Sequence, residues 1–410
     1  MFSGISTINS GFGVQNIVGG EGVQNNNNGS GTQQNNIRSP RAMDPPGRIR
    51  PIYRASSGDD RPSQREDFHI AIICALATEF DAVSLLFDRL WDEDGEVYGR
   101  APGDTNTYTT GRIREHDVAL ALLPSMGTAS AAGAAAGIRS SFPVLKLVLI
   151  VGVCGGVPDT GENEVLLGDV VISKTVQHSL GKQYPGTFAL KDTVEDTLGR
   201  LNRDTRTLVT SFETEMGRRR LRTKAGEYLV ALQMAAVSQG YRQSYQYPGV
   251  AEDKLFEPDY RHHHRTPQAC GICKYESGKT CDQAVQASCA DLQCDERHLL
   301  RRERLEAKRR MELTDMQRPE IHIGRIRSGD TVMKSGEHRD QIAREHNVIA
   351  FEMEGAGAWD EVPCIVVKGT CDYADSHKNN KWQPFAAATA ASVAKAFLTR
   401  YPRTDRTIPS

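Results

Sequence analysis

An apolar run that ends on carboxylates fits few places other than the rim of a buried sheet, and this chain has two of them. Val348-Ile349-Ala350-Phe351 runs straight into Glu352-Met353-Glu354-Gly355-Ala356-Gly357. Cys364-Ile365-Val366-Val367 runs into Lys368-Gly369-Thr370-Cys371-Asp372-Tyr373-Ala374-Asp375. Continuous apolar runs of this length read as buried strands. Acids at their C-terminal ends pack poorly but make good ligand groups, because open α/β sheets bind ligands at those ends. Either acid pair alone also suits the first turn of a helix, where the dipole favours negative charge. Two such ends about 20 residues apart favour a shared site.

The rest of the ordered sequence fits the same class. His69 to Leu76 reads as a strand, and Glu79 to Leu90 as a helix with Thr78 as its N-cap. Tyr108 to Ile113 and Asp117 to Leu123 read as a hairpin with His116 near its turn. Ala129 to Arg139 is rich in small residues, which let a helix lie close on a sheet. Leu145 to Val151 is a strand leading into a glycine loop, Gly152-Val153-Cys154-Gly155-Gly156, and Val165 to Ser173 supplies another strand. Strand, helix, strand and glycine loop in this order indicate an α/β domain.

Residues 1–66 carry Asn25-Asn26-Asn27-Asn28, Gln33-Gln34-Asn35-Asn36 and Pro45-Pro46, without apolar periodicity, and read as a disordered tail. Residues 67–402 read as one domain with a large insertion at about 176–320, followed by a flexible end at 403–410. The insertion is more polar, with helical segments at Val194–Phe212 and Lys224–Ser238. Its charged run from Arg297 to Arg310 reads as an exposed helix.

A net charge of −2 gives no electrostatic case for nucleic acid or anionic membranes. No run is long and apolar enough to span a bilayer, and Met1 to Asn28 lacks a signal-peptide core. The expectation is an intracellular, cytoplasmic protein. Its nine cysteines are then thiols or metal ligands.

The chain resembles the purine/uridine phosphorylase superfamily, on its nucleosidase side. The resemblance rests on Ala75-Leu76-Ala77-Thr78-Glu79, Ser125-Met126-Gly127, Gly152 to Gly156, Ser328-Gly329-Asp330-Thr331-Val332, Phe351 to Glu354 and Cys371-Asp372. It is similar in particular to the nucleoside-phosphorylase-type domains of fungal multidomain proteins, where such a domain often precedes an NTPase and repeats. The resemblance implies a three-layer α/β/α sandwich with a mixed, barrel-like central sheet, acting as a dimer or higher homo-oligomer. It also implies breakage of a purine N-glycosidic bond.

That reaction builds negative charge on the base, so an acid near N7 improves the leaving group. By the resemblance Asp372 is that acid, and Glu79 activates the attacking water. Glu354 holds ribose hydroxyls and Met353 packs under the sugar. Glu352 faces a second subunit or a helix end. Phe351, Val332, Val153, Cys154, Gly155, Ser125 and Gly127 complete the expected substrate-binding set. Phosphorylases of the superfamily place a glycine loop and an arginine near the position of Glu79 to hold phosphate, and this chain lacks both. Ile150 and Val153 stand where phosphorylases tend to carry donors, and neither can donate to phosphate. Water is therefore the favoured nucleophile. Phosphorolysis and a non-catalytic nucleotide-sensing domain are the alternatives.

Lys334, Arg339 and Lys378 follow the two site loops and are candidates for phosphate contacts, which would suit a nucleotide such as ATP. No cofactor is needed for the chemistry. In the insertion Cys270-Gly271-Ile272-Cys273 forms a CxxC knuckle after His262-His263-His264. Cys270, Cys273 and His262 are candidate ligands for a structural zinc; reduced thiols in a loop are the alternative.

Overall fold

A computed structural model describes residues 61–402, apart from 96, 162, 180, 185–186, 191–201, 266–269, 271 and 274–280. Of residues 181–184 and 187–190 only the backbone is described. Of the expected tail at 1–66, residues 1–60 lie outside the described residues, while 61–66 are ordered and lead into a 3-10 turn at Arg65–Asp67; the expected end at 403–410 and part of the helical segment expected from Val194 also lie outside.

The strands are β1 (Ile70–Cys74), β2 (Arg89–Leu90), β3 (Tyr108–Ile113), β4 (His116–Leu122), β5 (Leu147–Gly156), β6 (Val170–His178), β7 (Gly181–Tyr184), β8 (Thr187–Leu190), β9 (Ile321–Ser328), β10 (Val348–Glu352) and β11 (Cys364–Asp372). The main helices are α1 (Ala77–Ser84), α2 (Thr128–Ser141), α3 (Arg203–Glu213), α4 (Glu215–Ser238), α5 (Gly336–His346), α6 (Gly355–Trp359) and α7 (Gln383–Leu398). Nine strands form one sheet in the order β10-β9-β6-β11-β5-β1-β4-β3-β2, and β10 pairs with β5 as well. That extra pairing, Ala350 with Gly156 and Phe351 with Gly155, closes β10, β9, β6, β11 and β5 into a ring. β1, β5 and β11 run parallel, so their C-terminal ends share one rim.

Strand alternation sends successive side chains into two separate cores. Ile70, Ile72, Leu147, Leu149 and Ile365 join α1, α4 and α7 in one. Ala71, Ile73, Val148, Ile150 and Val366 join Ala131, Ala135 and Ile138 of α2 and Ala356 of α6 in the other. Helices thus cover both faces of a mixed, partly closed sheet, which is the expected three-layer α/β/α class. Small residues set the spacing. A Cβ at Gly369 would lie 2.0 Å from the Ala386 carbonyl oxygen, so α7 rests directly on β11 there.

Several local expectations change. The glycine stretch 152–156 is not a loop but the end of β5, hydrogen-bonded to β11 and β10. The first helix spans only Ala77–Ser84, with Leu76 in the N-cap position instead of Thr78. The insertion is no polar appendage: Leu221, Ala225, Leu229 and Leu232 of α4 are buried in the α7 core. The charged run Arg297–Arg310 is broken into a 3-10 turn and a short helix, Glu303–Lys308, and is partly buried. Arg302 reaches Asp253 at 2.8 Å and Arg304 reaches Asp169 at 2.6 Å. Burial alone would raise the Asp169 carboxyl, but the Arg304 charge and hydrogen bonds from Arg304 and His322 hold it well below the usual carboxylate range.

Candidate functional site

A cavity of about 280 Å³ opens at the shared rim of β1, β5, β10 and β11. Glu79, Glu354 and Asp372 all line it. So do Val153, Cys154, Gly155, Phe351, Glu352, Met353 and Val332, as expected, together with Lys378. Ser125 and Gly127 do not line it; Met126 between them does. Ser125 is exposed and bonds Ser130.

Each carboxylate is held by the end of a strand. Glu79, in the first turn of α1, is 2% exposed. Its Oε2 accepts the backbone N–H groups of Ala75 and Leu76 at 2.9 Å, and its Oε1 accepts that of Val153 at 2.8 Å. Residue 152 must be glycine for this, since a Cβ there would sit 2.4 Å from Oε1. Burial pushes the Glu79 carboxyl up, and the Lys368 charge offsets only part of that. Glu354 accepts Lys368 Nζ at 2.7 Å on Oε2, while Oε1 is 3.4 Å from the Gly127 amide. Asp372 ends β11: Oδ1 accepts the Ala374 N–H at 2.8 Å, and Lys378 Nζ stands 2.7 Å from Oδ2. The turn after it bends through Ala374 at φ 53°, a left-handed conformation that side-chain-bearing residues adopt at a cost. Burial would lower Lys378, but Asp372 outweighs it and keeps the ammonium raised.

Glu352 has the helix-end role. Its carboxylate accepts the N–H groups of Glu354 and Gly355 at 3.0 Å, at the start of α6, with burial pushing it up. The Ser328-Gly329-Asp330 segment is likewise structural. Asp330 takes both the amide and the hydroxyl of Thr128 at 2.7 Å, at the start of α2, and Ser328 Oγ accepts the Ala356 amide at 2.8 Å.

Two of the three expected phosphate contacts move elsewhere. Arg339 is 1% exposed, and its guanidinium donates to the Tyr373 carbonyl and to Asp340, outside the cavity. It sits on the inward face of α5, so its charge is consumed in packing. Lys334 is exposed and does not line the cavity. Lys378 does, but paired with Asp372.

The residue that sequence reasoning missed is Lys368. It is 1% exposed, 2.7 Å from Glu354 and 3.7 Å from Glu352. Burial pulls its ammonium down, but Glu354, Glu352 and Glu79 outweigh that and raise it. A lysine inside an otherwise apolar strand, four residues before the Asp372 that ends it, was the available signal.

A second cavity of about 510 Å³ lies on the insertion side of the same loop and shares Cys371, Asp372 and Lys378. Beyond it, the candidate zinc ligands fall into two groups and not one. His264, Cys270, Cys273 and Cys281 form the first; His262, Cys289 and Cys294 form the second. His262 therefore does not join Cys270 and Cys273: His264, two residues on, takes that place, because the bend at His263 turns apart two rings that a straight extended segment would send the same way.

Residues 69–234 match the model of the phosphorylase superfamily. A nucleotide-binding leucine-rich repeat (NLR)-like protein of Hyaloscypha variabilis is 31% identical over 346 residues, 82% of this chain. The chain spans about 30% of the length of that relative. Among solved structures, the futalosine hydrolase of Helicobacter pylori aligns with a TM-score of 0.46 at 15% identity, covering 81% of this chain and 98% of that one. The 5′-methylthioadenosine/S-adenosyl homocysteine nucleosidase of the same species aligns with a TM-score of 0.45 at 15% identity, with the same coverage. The match to the superfamily model places residues 69–234, the stretch from β1 into α4, in the phosphorylase superfamily.

Proposed function

We propose that this protein hydrolyses the N-glycosidic bond of a purine nucleoside or nucleotide, with adenine the base and ATP one candidate substrate. The observation that carries the reading is the convergence of Glu79, Glu354 and Asp372 on one small cavity. Its volume of about 280 Å³ suits a nucleoside-sized ligand. In the reaction a water oxygen bonds to C1′ while the C1′–N9 bond breaks and its electron pair passes to the purine. Asp372 is the group that passes a proton to N7. Glu79 receives the proton lost by the water. Glu354 accepts hydroxyl protons of the ribose, and the Met353 thioether packs on the sugar ring. Protonating the leaving group and activating the nucleophile each typically contribute 10²–10⁴-fold in rate.

Water is favoured over phosphate by the charge around the cavity. Among the described residues lining it, Lys378 is the only cation, and Asp372 already pairs with it. A phosphate near Glu79 would meet carboxylates without a compensating donor.

The test is an assay of ATP, AMP, adenosine and inosine with and without inorganic phosphate, with products identified by mass spectrometry. The expected result is free base plus the ribose or ribose phosphate in phosphate-free buffer, lost in Asp372→Asn. Base release only when phosphate is present would replace hydrolysis by phosphorolysis. An Asp372→Asn variant turning over at the wild-type rate would remove the acid assignment.

A further inference from the structure

The insertion brings seven histidine and cysteine side chains together where no step of the proposed reaction uses them. In the first group the Cys273 and Cys281 sulfurs lie 3.7 and 3.5 Å from His264 Nδ1. In the second the Cys289 and Cys294 sulfurs lie 3.8 and 3.5 Å from His262 Nδ1. A tetrahedral zinc with Zn–S of about 2.3 Å and Zn–N of about 2.0–2.1 Å has S···N edges of about 3.6 Å. Both groups already have the dimensions of a filled site.

The second group has three ligands, and a fourth stands beside it. His377 is 7% exposed, and neither of its ring nitrogens makes a hydrogen bond; the Asp375 carboxylate, 3.9 Å from Nδ1, is too far. Two uncompensated nitrogens in a buried ring are costly unless something binds one of them. The His377 and His262 rings lie edge to face with centroids 5.1 Å apart. Two imidazoles on one tetrahedral zinc have centroids about 5 Å apart. The other nitrogen of His262 is already committed: Nε2 donates to the Ala287 carbonyl at 2.9 Å. That fixes the tautomer with the Nδ1 lone pair turned to the sulfurs, as a metal ligand requires.

We propose that His262, Cys289, Cys294 and His377 bind one zinc ion, and that His264, Cys270, Cys273 and Cys281 bind a second. Soft thiolates with imidazole select zinc, and four protein ligands leave no position for substrate. Both ions are structural. The first has a particular consequence, because His377 belongs to the loop that carries Asp372 and Lys378. The Ser376 hydroxyl on that loop accepts the His262 amide at 3.0 Å, and the His377 ring stacks on Phe256 with centroids 4.1 Å apart. The ion would fasten the site loop to the insertion, making the insertion part of the site's scaffold.

Metal content tests this without recourse to turnover, so the outcome stands whatever the substrate proves to be. The full chain, purified under reducing conditions without chelator, is expected to hold two zinc ions by mass spectrometric elemental analysis. His377→Ala and Cys289→Ser should each lower the count to one. Cys273→Ser should also lower it to one while sparing the His377 site. Refilling with cobalt should give tetrahedral d–d bands and thiolate-to-metal charge transfer in the wild type. Removing either site should abolish about half of that intensity. Because these spectra are read on soluble protein with wild-type circular dichroism, a folding failure cannot pass for loss of a ligand. A wild-type chain that holds fewer than two zinc ions after incubation with zinc would overturn the proposal, and so would His377→Ala retaining two.

Discussion

Lys368→Met tests the electrostatic centre of the cavity. The ammonium is 2.7 Å from Glu354 and 3.7 Å from Glu352, and the lysine is 1% exposed. At an effective dielectric of about 20 those separations correspond to gross attractions of about 6 and about 4.5 kcal/mol. Desolvating the lysine offsets several kcal/mol of this. Methionine keeps most of the volume but leaves Glu79, Glu352 and Glu354 buried with no cation between them. The expected loss is about 3–5 kcal/mol near pH 7, the range for removing one partner of a buried pair. Urea denaturation, followed by circular dichroism at several pH values, measures it. The sign follows from the carboxyls. Without the lysine the already raised carboxyls of Glu79 and Glu352 rise further above the unfolded value of about 4.3, so the penalty grows as pH rises above that and fades as pH falls toward it. The lysine, raised in the fold by these carboxylates, stays an ammonium in both folded and unfolded chains at any pH well below about 10.4, so the carboxyls alone set the pH dependence. Lys368→Met should therefore approach wild-type stability near pH 4–5, and adding Glu354→Gln should restore a large part of the loss at pH 7. A loss under about 1 kcal/mol, or one independent of pH, would refute the reasoning.

Gly152→Ala places a Cβ 2.4 Å from Glu79 Oε1; it should lower kcat at least about 10²-fold, the contribution of a displaced general base, with little change in KM. Lys378→Met leaves the buried Asp372 carboxylate without its cation and should lower the melting temperature, measured by a thermal melt beside steady-state turnover. Asp169→Asn should cost about 3–5 kcal/mol near pH 7 by orphaning Arg304. Because Asp169 is depressed in the fold, its contribution is present above about pH 3.9 and lost as pH falls through its folded value, so the variant's acid denaturation profile should be flatter than the wild type's.

The parts of this molecule visible in its sequence are those whose meaning is local. Val348–Phe351 and Cys364–Val367 are strands because continuous apolar runs have few other uses, and the carboxylates after them do meet in one cavity. What stayed hidden depends on partners distant in the chain. Gly152–Gly156 looks like a loop until β11 and β10 are seen on either side, since only pairing distinguishes a glycine-rich strand from a turn. Arg302 and Arg304 look like a solvated face until Asp253 and Asp169 arrive from 49 and 135 residues away. Arg339 carries the composition of a phosphate ligand and the position of a packing residue. His262 and His264 have the same chemistry and differ only in which way the segment turns each ring.

The pairing of β10 with β5 has a consequence for how the protein is made. Glu79 and Val153 are translated well before the walls that face them, Phe351–Glu354 and Asp372. A nascent chain that has exposed everything up to α4 holds one rim of the cavity with its sheet still open. Enclosure waits for β10 and β11, and a message truncated before residue 372 would yield a chain with half a pocket and an unsealed sheet edge inviting other strands.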